Sequence, residues 1–255
     1  MKQSVVAPQS EEYIKEPTTK TQVCNYWSKR SHDFSNLRLK ELQSPVGLRW
    51  FQELQNNLPK GKQLRILDVG CGSGFFSFFL TQLGHHVTGI DLTSSMIKEA
   101  KRSSEKLKIY PEFHIMDAEQ IQYSAETFDV LVTRNLTWTL PHPEIAYMEW
   151  YRVLKPGGLL LNIDANYGLE QFSGTDKLPH NHVHQEIDTS LLGECDHIKA
   201  QLPISYRNRP SWDLQALEVS GFSSVSIDFS ISNRIYLTED EFYNPVPLFL
   251  IKATK

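Results

Sequence analysis

Four carboxylates and one amide, Asp68, Asp91, Asp117, Asn135 and Asp164, each stand where a short apolar run ends. Between the first two lies Gly70-Cys71-Gly72-Ser73-Gly74. Alternate glycines let the backbone turn sharply and approach a ligand with no Cβ in the way, and the N–H groups of a helix opening just beyond attract an anionic group. Asp91, 17 residues past Gly74, is placed to accept ribose hydroxyls. The chemistry indicated is an adenosine-cofactor site.

Charge separates the candidate cofactors. Asp68 lies two residues before the first glycine and is expected to point into the crevice. A dinucleotide would set its doubly anionic pyrophosphate there, and like charges repel. S-adenosylmethionine instead brings an ammonium and a sulfonium, and its single carboxylate can take the helix N-terminus. The spacing Gly-x-Gly-x-Gly also departs from the Gly-x-Gly-x-x-Gly dinucleotide fingerprint, because the third position beyond Gly72 is Phe75. S-adenosylmethionine is favoured, and a nicotinamide-dependent oxidoreductase is set back by Asp68.

These residues need a sheet to hold them along one edge. From Gln63 onward, β-branched runs alternate with helical segments, the pattern of a parallel sheet with right-handed crossovers. Strands are expected over 64–69, 86–90, 112–116, 128–133 and 159–163, with two more near 225–231 and 247–253. Helices are expected over 74–83, from a cap at Thr93 or Ser94 with Met96 and Ile97 inward, from Pro143 to a stop at Lys155-Pro156-Gly157-Gly158, and over 211–219. The polar ends of the strands would ring one crevice, the usual ligand site of open α/β sheets. Residues 165–205 break the alternation and read as a substrate-side insertion.

At 255 residues and 40% hydrophobic content the chain can bury the core of one domain. Residues 1–20 read as a flexible tail, 21–60 as an N-terminal helical lid, and 61–255 as the catalytic domain with its insertion. A net charge of −4 without basic runs gives no footprint for nucleic acid or an anionic membrane. Cys24, Cys71 and Cys195 are odd in number and dispersed, which indicates no disulfide framework and fits a reducing cytosol. With no apolar run of signal or spanning length, a soluble, unprocessed cytoplasmic monomer or homodimer is expected.

In these motifs the chain resembles the small-molecule branch of the class I S-adenosylmethionine-dependent methyltransferases. The resemblance covers roughly 63–158 and rests on five ordered matches: the glycine loop, Val87-Thr88-Gly89-Ile90-Asp91-Leu92, Asp117-Ala118, Phe128-Asp129-Val130 and Arg152-Val153-Leu154-Lys155-Pro156-Gly157-Gly158. It implies a Rossmann-like seven-stranded, mostly parallel sheet of order 3-2-1-4-5-7-6 with the last strand antiparallel and helices on both faces. It also implies S-adenosylmethionine as cofactor and S-adenosylhomocysteine as product. Asp68, Gly70, Cys71, Gly72 and Gly74 would hold the methionine part, Asp91 and Leu92 the ribose and adenine, Asp117 and Ala118 the adenine edge, with Met96 nearby. Asn135 and Leu136 would line the methionine and acceptor side. Arg134-Asn135-Leu136-Thr137-Trp138 replaces the Asn-Pro-Pro-Tyr type motif of amino-methylating nucleic-acid enzymes, which counts against that chemistry and leaves a small-molecule acceptor.

Tyr26 and Trp27, on an amphipathic helix near 22–40, are expected either to close over the cofactor or to pack on the sheet. Acceptor binding or proton removal falls to Asn135, Trp138 and His142 after the fourth strand, or Asp164, Asn166 and Tyr167 after the fifth. His142 before Pro143 also suits a helix cap, Trp138 also suits core packing, and Asp164 also suits a structural acceptor. Arg207 and Arg209 offer a clamp for a substrate carboxylate, with surface placement as the alternative. The alternate His180, His182 and His184 admit a metal reading, but solvated loop histidines are preferred and no metal is assigned. Two rival functions keep the cofactor site: aminocarboxypropyl transfer or cyclisation releasing methylthioadenosine, and a silent binding module.

Overall fold

The computed structural model describes residues 18–174, 182 and 187–255. Its sheet has the order β3-β2-β1-β4-β5-β7-β6. The strands are β1 (Arg65–Val69), β2 (His86–Asp91), β3 (Glu112–Ile115), β4 (Phe128–Arg134), β5 (Leu154–Ala165), β6 (Ser223–Asp228) and β7 (Leu248–Thr254). The first five pair in parallel, while β7 runs antiparallel to both β5 and β6. This is the Rossmann-like architecture expected from the resemblance.

Side chains on a strand alternate between faces, and both faces here are apolar. Ile66, Val130, Val132, Leu161 and Leu250 feed one core, with Trp50, Phe76, Phe79 and Leu80. Leu67, Leu131, Leu160 and Ile251 feed the other, with Tyr147, Trp150 and Leu217. The helices follow suit. On the first side lie α2 (Pro45–Asn57), α3 (Phe75–Gln82) and α8 (Ile231–Ile235), and on the second α5 (Pro143–Val153) and α7 (Ser211–Val219). Helix α4 (Ser94–Leu107) joins α3 around Phe78 and Phe113.

Several boundaries differ from those read in the sequence. β5 begins at Leu154 and continues through the Lys-Pro-Gly-Gly segment, with a register shift against β4 between Phe128 and Val130. An irregular strand, not a gap, follows α5. The sixth strand ends at Asp228, and the apolar residues from Ile231 form α8. The insertion carries α6 (Thr189–Gln201), begun by Asp188, whose side chain accepts from Ser190 N.

The N-terminal helix α1 (Thr19–Leu42) spans 24 residues, or about 36 Å. Thr18 caps it by accepting from Thr21 N, so helix already begins inside the segment read as a tail; residues 1–17 of that tail lie outside the described residues. The helix packs on α3, α4 and α6.

Candidate active site

The carboxyl ends of β1, β2, β3 and β4, with Tyr167 beyond β5 and the underside of α1, enclose a cavity of about 390 Å³. Small-molecule sites run from about 300 to 1,000 Å³. Tyr26, Trp27, Asp68, Gly70, Cys71, Gly72, Asp91, Leu92, Met96, Asp117, Ala118, Asn135, Leu136 and Tyr167 all line it. One cavity thus gathers most of the residues picked out from the sequence by spacing and by resemblance.

The glycine loop is shaped by its neighbours. Gly70 has φ +65°, and a Cβ there would lie 2.7 Å from Leu136 Cδ1. Gly72 N donates to Asp91 Oδ2 at 3.0 Å, while Thr93 N donates to Oδ1 at 2.8 Å. Gly74 does not face the cavity: it stands at the N-cap of α3 against the rings of Phe113 and Phe78. The N-cap Gly74 supplies no side-chain cap; the Asp68 carboxylate engages the Ser77 backbone N–H, and the other first-turn donors of α3 suit a ligand anion.

Beside the loop lies Asp68, 3% exposed, with Oδ2 accepting from Ser77 Oγ at 2.6 Å. Burial pushes its carboxyl up to about 7, Ser77 opposes the shift, and Asp91 adds to it. Burial also raises the Asp91 carboxyl. Two desolvated carboxylates facing one space are costly when ionised without a cation. An S-adenosylmethionine molecule, with its sulfonium, ammonium and carboxylate, matches these acids and the uncapped helix.

Helix α1 roofs the cavity. Near its start, Lys20 Nζ reaches Asp117 Oδ2 at 2.7 Å and Glu119 Oε2 at 2.5 Å. Midway, Tyr26, Trp27 and Phe34 make edge-to-face contacts at 5.3 Å, and Phe34 lies 3.4 Å from where a Gly72 Cβ would be. Near its end, Arg38 bonds Glu41, which also accepts from Arg134 Nη2 at 3.0 Å. Tyr26 is 4% exposed, lines the cavity and packs with Cys195 and Ile198 of α6, not on the sheet.

Beyond the glycine loop, Asn135 adopts φ +54°, a conformation that asparagine tolerates better than most residues. Tyr167 Oη donates to Asn135 Oδ1 at 3.3 Å and accepts from Asn244 Nδ2 at 2.8 Å. Burial raises the Tyr167 phenol well above its ordinary range, with Asp164 adding. Trp138 packs on Tyr167 and Phe172 at 5.1 and 5.6 Å, and its buried Nε1 has no hydrogen-bond partner.

Other candidates are placed elsewhere. Asp164 is fully buried outside the cavity, 3.0 Å from Arg209 Nη1, with Trp138 N donating to Oδ2 and Ala165 N to Oδ1. Committed to these partners, it is a structural acceptor that fixes the Trp138 backbone, not a proton acceptor for substrate. His142 is exposed, lies off the cavity, and makes no side-chain cap. Asn166 also lies outside. Arg209 is sequestered by Asp164 and Asp213, and Arg207 is exposed beside Trp212, so neither clamps a substrate here. His182 lines the cavity with Nε2 2.7 Å from Tyr243 O; His180 and His184 lie outside the described residues.

Sequence reasoning missed Lys20, Arg38, Glu41, Tyr236, Tyr243 and Asn244, and gave Arg134 no role. Arg134 carried a signal, a cation at the carboxyl end of a parallel strand. The others come from segments without strand-end punctuation.

A methyltransferase-domain family model matches residues 67–162. The ubiquinone biosynthesis O-methyltransferase of Coxiella burnetii is 34% identical over 82% of this chain and 84% of its own length. The phosphoethanolamine N-methyltransferase 3 of Arabidopsis thaliana is 28% identical over 60% of this chain and 36% of its own. Among solved structures, a Thermotoga maritima S-adenosylmethionine-dependent methyltransferase described as a possible histamine N-methyltransferase aligns with a TM-score of 0.57 at 19% identity, covering 91% of this chain and 99% of its own. A Haemonchus contortus phosphoethanolamine N-methyltransferase 2, in complex with phosphomonomethylethanolamine and S-adenosylhomocysteine, gives 0.62 at 16% identity over 94% and 61%.

Proposed function

This chain belongs to the class I S-adenosylmethionine-dependent methyltransferases, and from that premise we propose that it methylates an oxygen or nitrogen of a small molecule held between Leu136 and Asn244. One observation carries the reading: a single cavity holds both the acidic glycine loop and a polar group built on Asn135, Tyr167 and Asn244.

In this reading Asp68 and the Gly70–Gly74 loop hold the methionyl part. Asp91 and Leu92 hold the ribose, and Asp117, Ala118 and Met96 the adenine. The bound cofactor supplies an electrophilic methyl carbon on a sulfonium. Tyr26 and Trp27 close over it from α1, offering ring faces to positive charge at about 0.5 to 2 kcal/mol per contact and excluding water. Tyr167, whose raised phenol keeps its proton, orients the acceptor by hydrogen bonding and does not deprotonate it. With Asp164 and His142 turned away from the cavity, alignment carries the rate; in favourable systems it supplies on the order of 7 to 11 kcal/mol. The free thiols of Cys24, Cys71 and Cys195 suit a cytoplasmic working compartment, and among the described residues no helix is long and apolar enough to cross a membrane.

The test is incubation of the purified protein with S-adenosylmethionine and a fractionated metabolite pool, followed by mass spectrometry. S-adenosylhomocysteine should accumulate together with a metabolite heavier by one methyl group. Accumulation of methylthioadenosine instead, or binding of NAD with indifference to S-adenosylmethionine, would overturn the reading.

A further inference from the structure

The cavity is acidic at Asp68 and Asp91 and basic at Arg134 and Arg38. Arg134, at the end of β4, and Arg38, on α1, both line it and share one carboxylate. Arg134 Nη2 and Trp50 Nε1 donate to Glu41 Oε1 at 3.0 and 3.1 Å, and Arg38 Nη1 bonds Oε2. Burial alone would raise the Glu41 carboxyl, but Arg134 and then Arg38 outweigh it and hold the group below the usual carboxylate range. Glu41 is therefore ionised. Two guanidinium charges less one carboxylate leave a net charge of +1 at this spot.

That charge is poorly screened. The Arg134 side chain is 10% exposed and the Arg38 side chain 18%, and Arg134 is walled by the rings of Trp50 and Phe75 at 4.4 and 4.8 Å. The Nε–H of each arginine is buried with no partner. An unmatched buried charge and two orphaned donors are costly unless a ligand completes them. The neighbouring Tyr236 phenol is held up by burial, and burial first holds down the His182 imidazole, so both are neutral near pH 7. Asp240, felt by His182, turns its Oδ1 to Phe242 N at 2.9 Å.

We propose that the acceptor carries an anionic group, a carboxylate or a phosphate, and that Arg38 and Arg134 bind it, fixing both substrate class and orientation. The proposal rests on the methyltransferase reading of this cavity. Charge-assisted hydrogen bonds to either oxyanion are short and strong, and guanidinium forks match both. With the donor's cationic centre beside Asp68 and the acceptor's anion beside Arg38 and Arg134, each molecule finds complementary charge within the one cavity.

The test uses the full chain saturated with S-adenosylhomocysteine and titrated calorimetrically with inorganic phosphate and, separately, acetate. At least one should bind in the millimolar range; phosphate alone indicates a phosphate-bearing acceptor, and acetate alone a carboxylate. Arg38→Met, which makes the cluster neutral, should weaken that binding about tenfold while S-adenosylhomocysteine affinity holds. Adding Glu41→Gln to it restores the net charge of +1 and should recover anion binding, a gain that a merely structural role for Arg38 would not produce. No heat with either anion, or equal affinity in the wild type and Arg38→Met, overturns the proposal. Failure of S-adenosylhomocysteine itself to bind would instead reject the methyltransferase reading beneath it.

Discussion

Lys20 Nζ stands 2.7 Å from Asp117 Oδ2, which ties the first turn of α1 to the loop after β3 across a separation of 97 residues. The same helix meets Gly72 through Phe34 and β4 through Glu41. The roof is thus fastened at both ends and wedged in the middle.

Lys20→Met should loosen that roof. The Lys20 side chain is 31% exposed and that of Asp117 25%, so this pair is worth only about 0 to 1 kcal/mol, and any larger loss of thermal stability would come from Glu119, 4% exposed, losing its cation. S-adenosylhomocysteine should dissociate about two- to fivefold faster, as read by stopped-flow fluorescence of Trp27. An unchanged off-rate would show that the ammonium plays no part in closure.

Cofactor affinity should depend on the Asp68 proton. Its carboxyl is raised to about 7 against about 3.9 in an unfolded chain, so the folded form holds a proton that the unfolded form has lost between these values. Stability from this group is therefore greatest at low pH and declines as pH rises toward 7. Binding of a cation runs the other way: S-adenosylmethionine should bind more weakly as pH falls below 7 and release a proton on binding at pH 6. Asp68→Asn should abolish both effects in calorimetry performed in buffers of different ionisation heat.

Gly70→Ala places a Cβ 2.7 Å from Leu136 Cδ1 in a left-handed backbone. Strain of about 1 to 3 kcal/mol follows, with loss of cofactor binding measured by equilibrium dialysis. Trimming Leu136 to Ala in the same chain removes the clash and should recover part of the affinity; no recovery would locate the damage in the backbone alone.

Tyr167→Phe breaks the link from Asn244 to Asn135. Displacing an acceptor by about 1 Å can cost a hundredfold in rate, so kcat should fall on that order while S-adenosylhomocysteine affinity stays unchanged. A matching loss of cofactor affinity would place Tyr167 in the donor site instead.

Asp164→Asn should damage stability before chemistry. It leaves Arg209 with Asp213 alone in a fully buried network, and breaking such a pair costs about 3 to 5 kcal/mol. The melting temperature should drop several degrees, and the protein that remains folded should retain its pH–rate profile.

The strands and the acidic rim were legible because a parallel strand announces itself by an apolar run that ends in Asp or Asn, as at Asp68, Asp91 and Asn135, while the strand order came only with the family resemblance. Position along a strand did not reveal commitment. Asp164 stands at the same kind of edge, but Arg209, 45 residues later, claims it, and no local pattern signals such a partner. Lys20, Arg38 and Glu41 were hidden for a different reason: their helix has polar residues around much of its circumference, and its dry side became defined only when the sheet edge came to meet it. The end of β6 went astray because Ile231 and Ile235 suit a strand and a short helix equally well.

The placement of Arg38 on α1, while Asp68 and Asp91 sit on the sheet, divides the labour of recognition between two stretches of chain that meet only after folding. Swapping α1 for that of a related enzyme would keep Asp68 and Asp91 but exchange Lys20, Tyr26, Trp27 and Arg38 together, so retention of the donor and admission of the acceptor would change in one step.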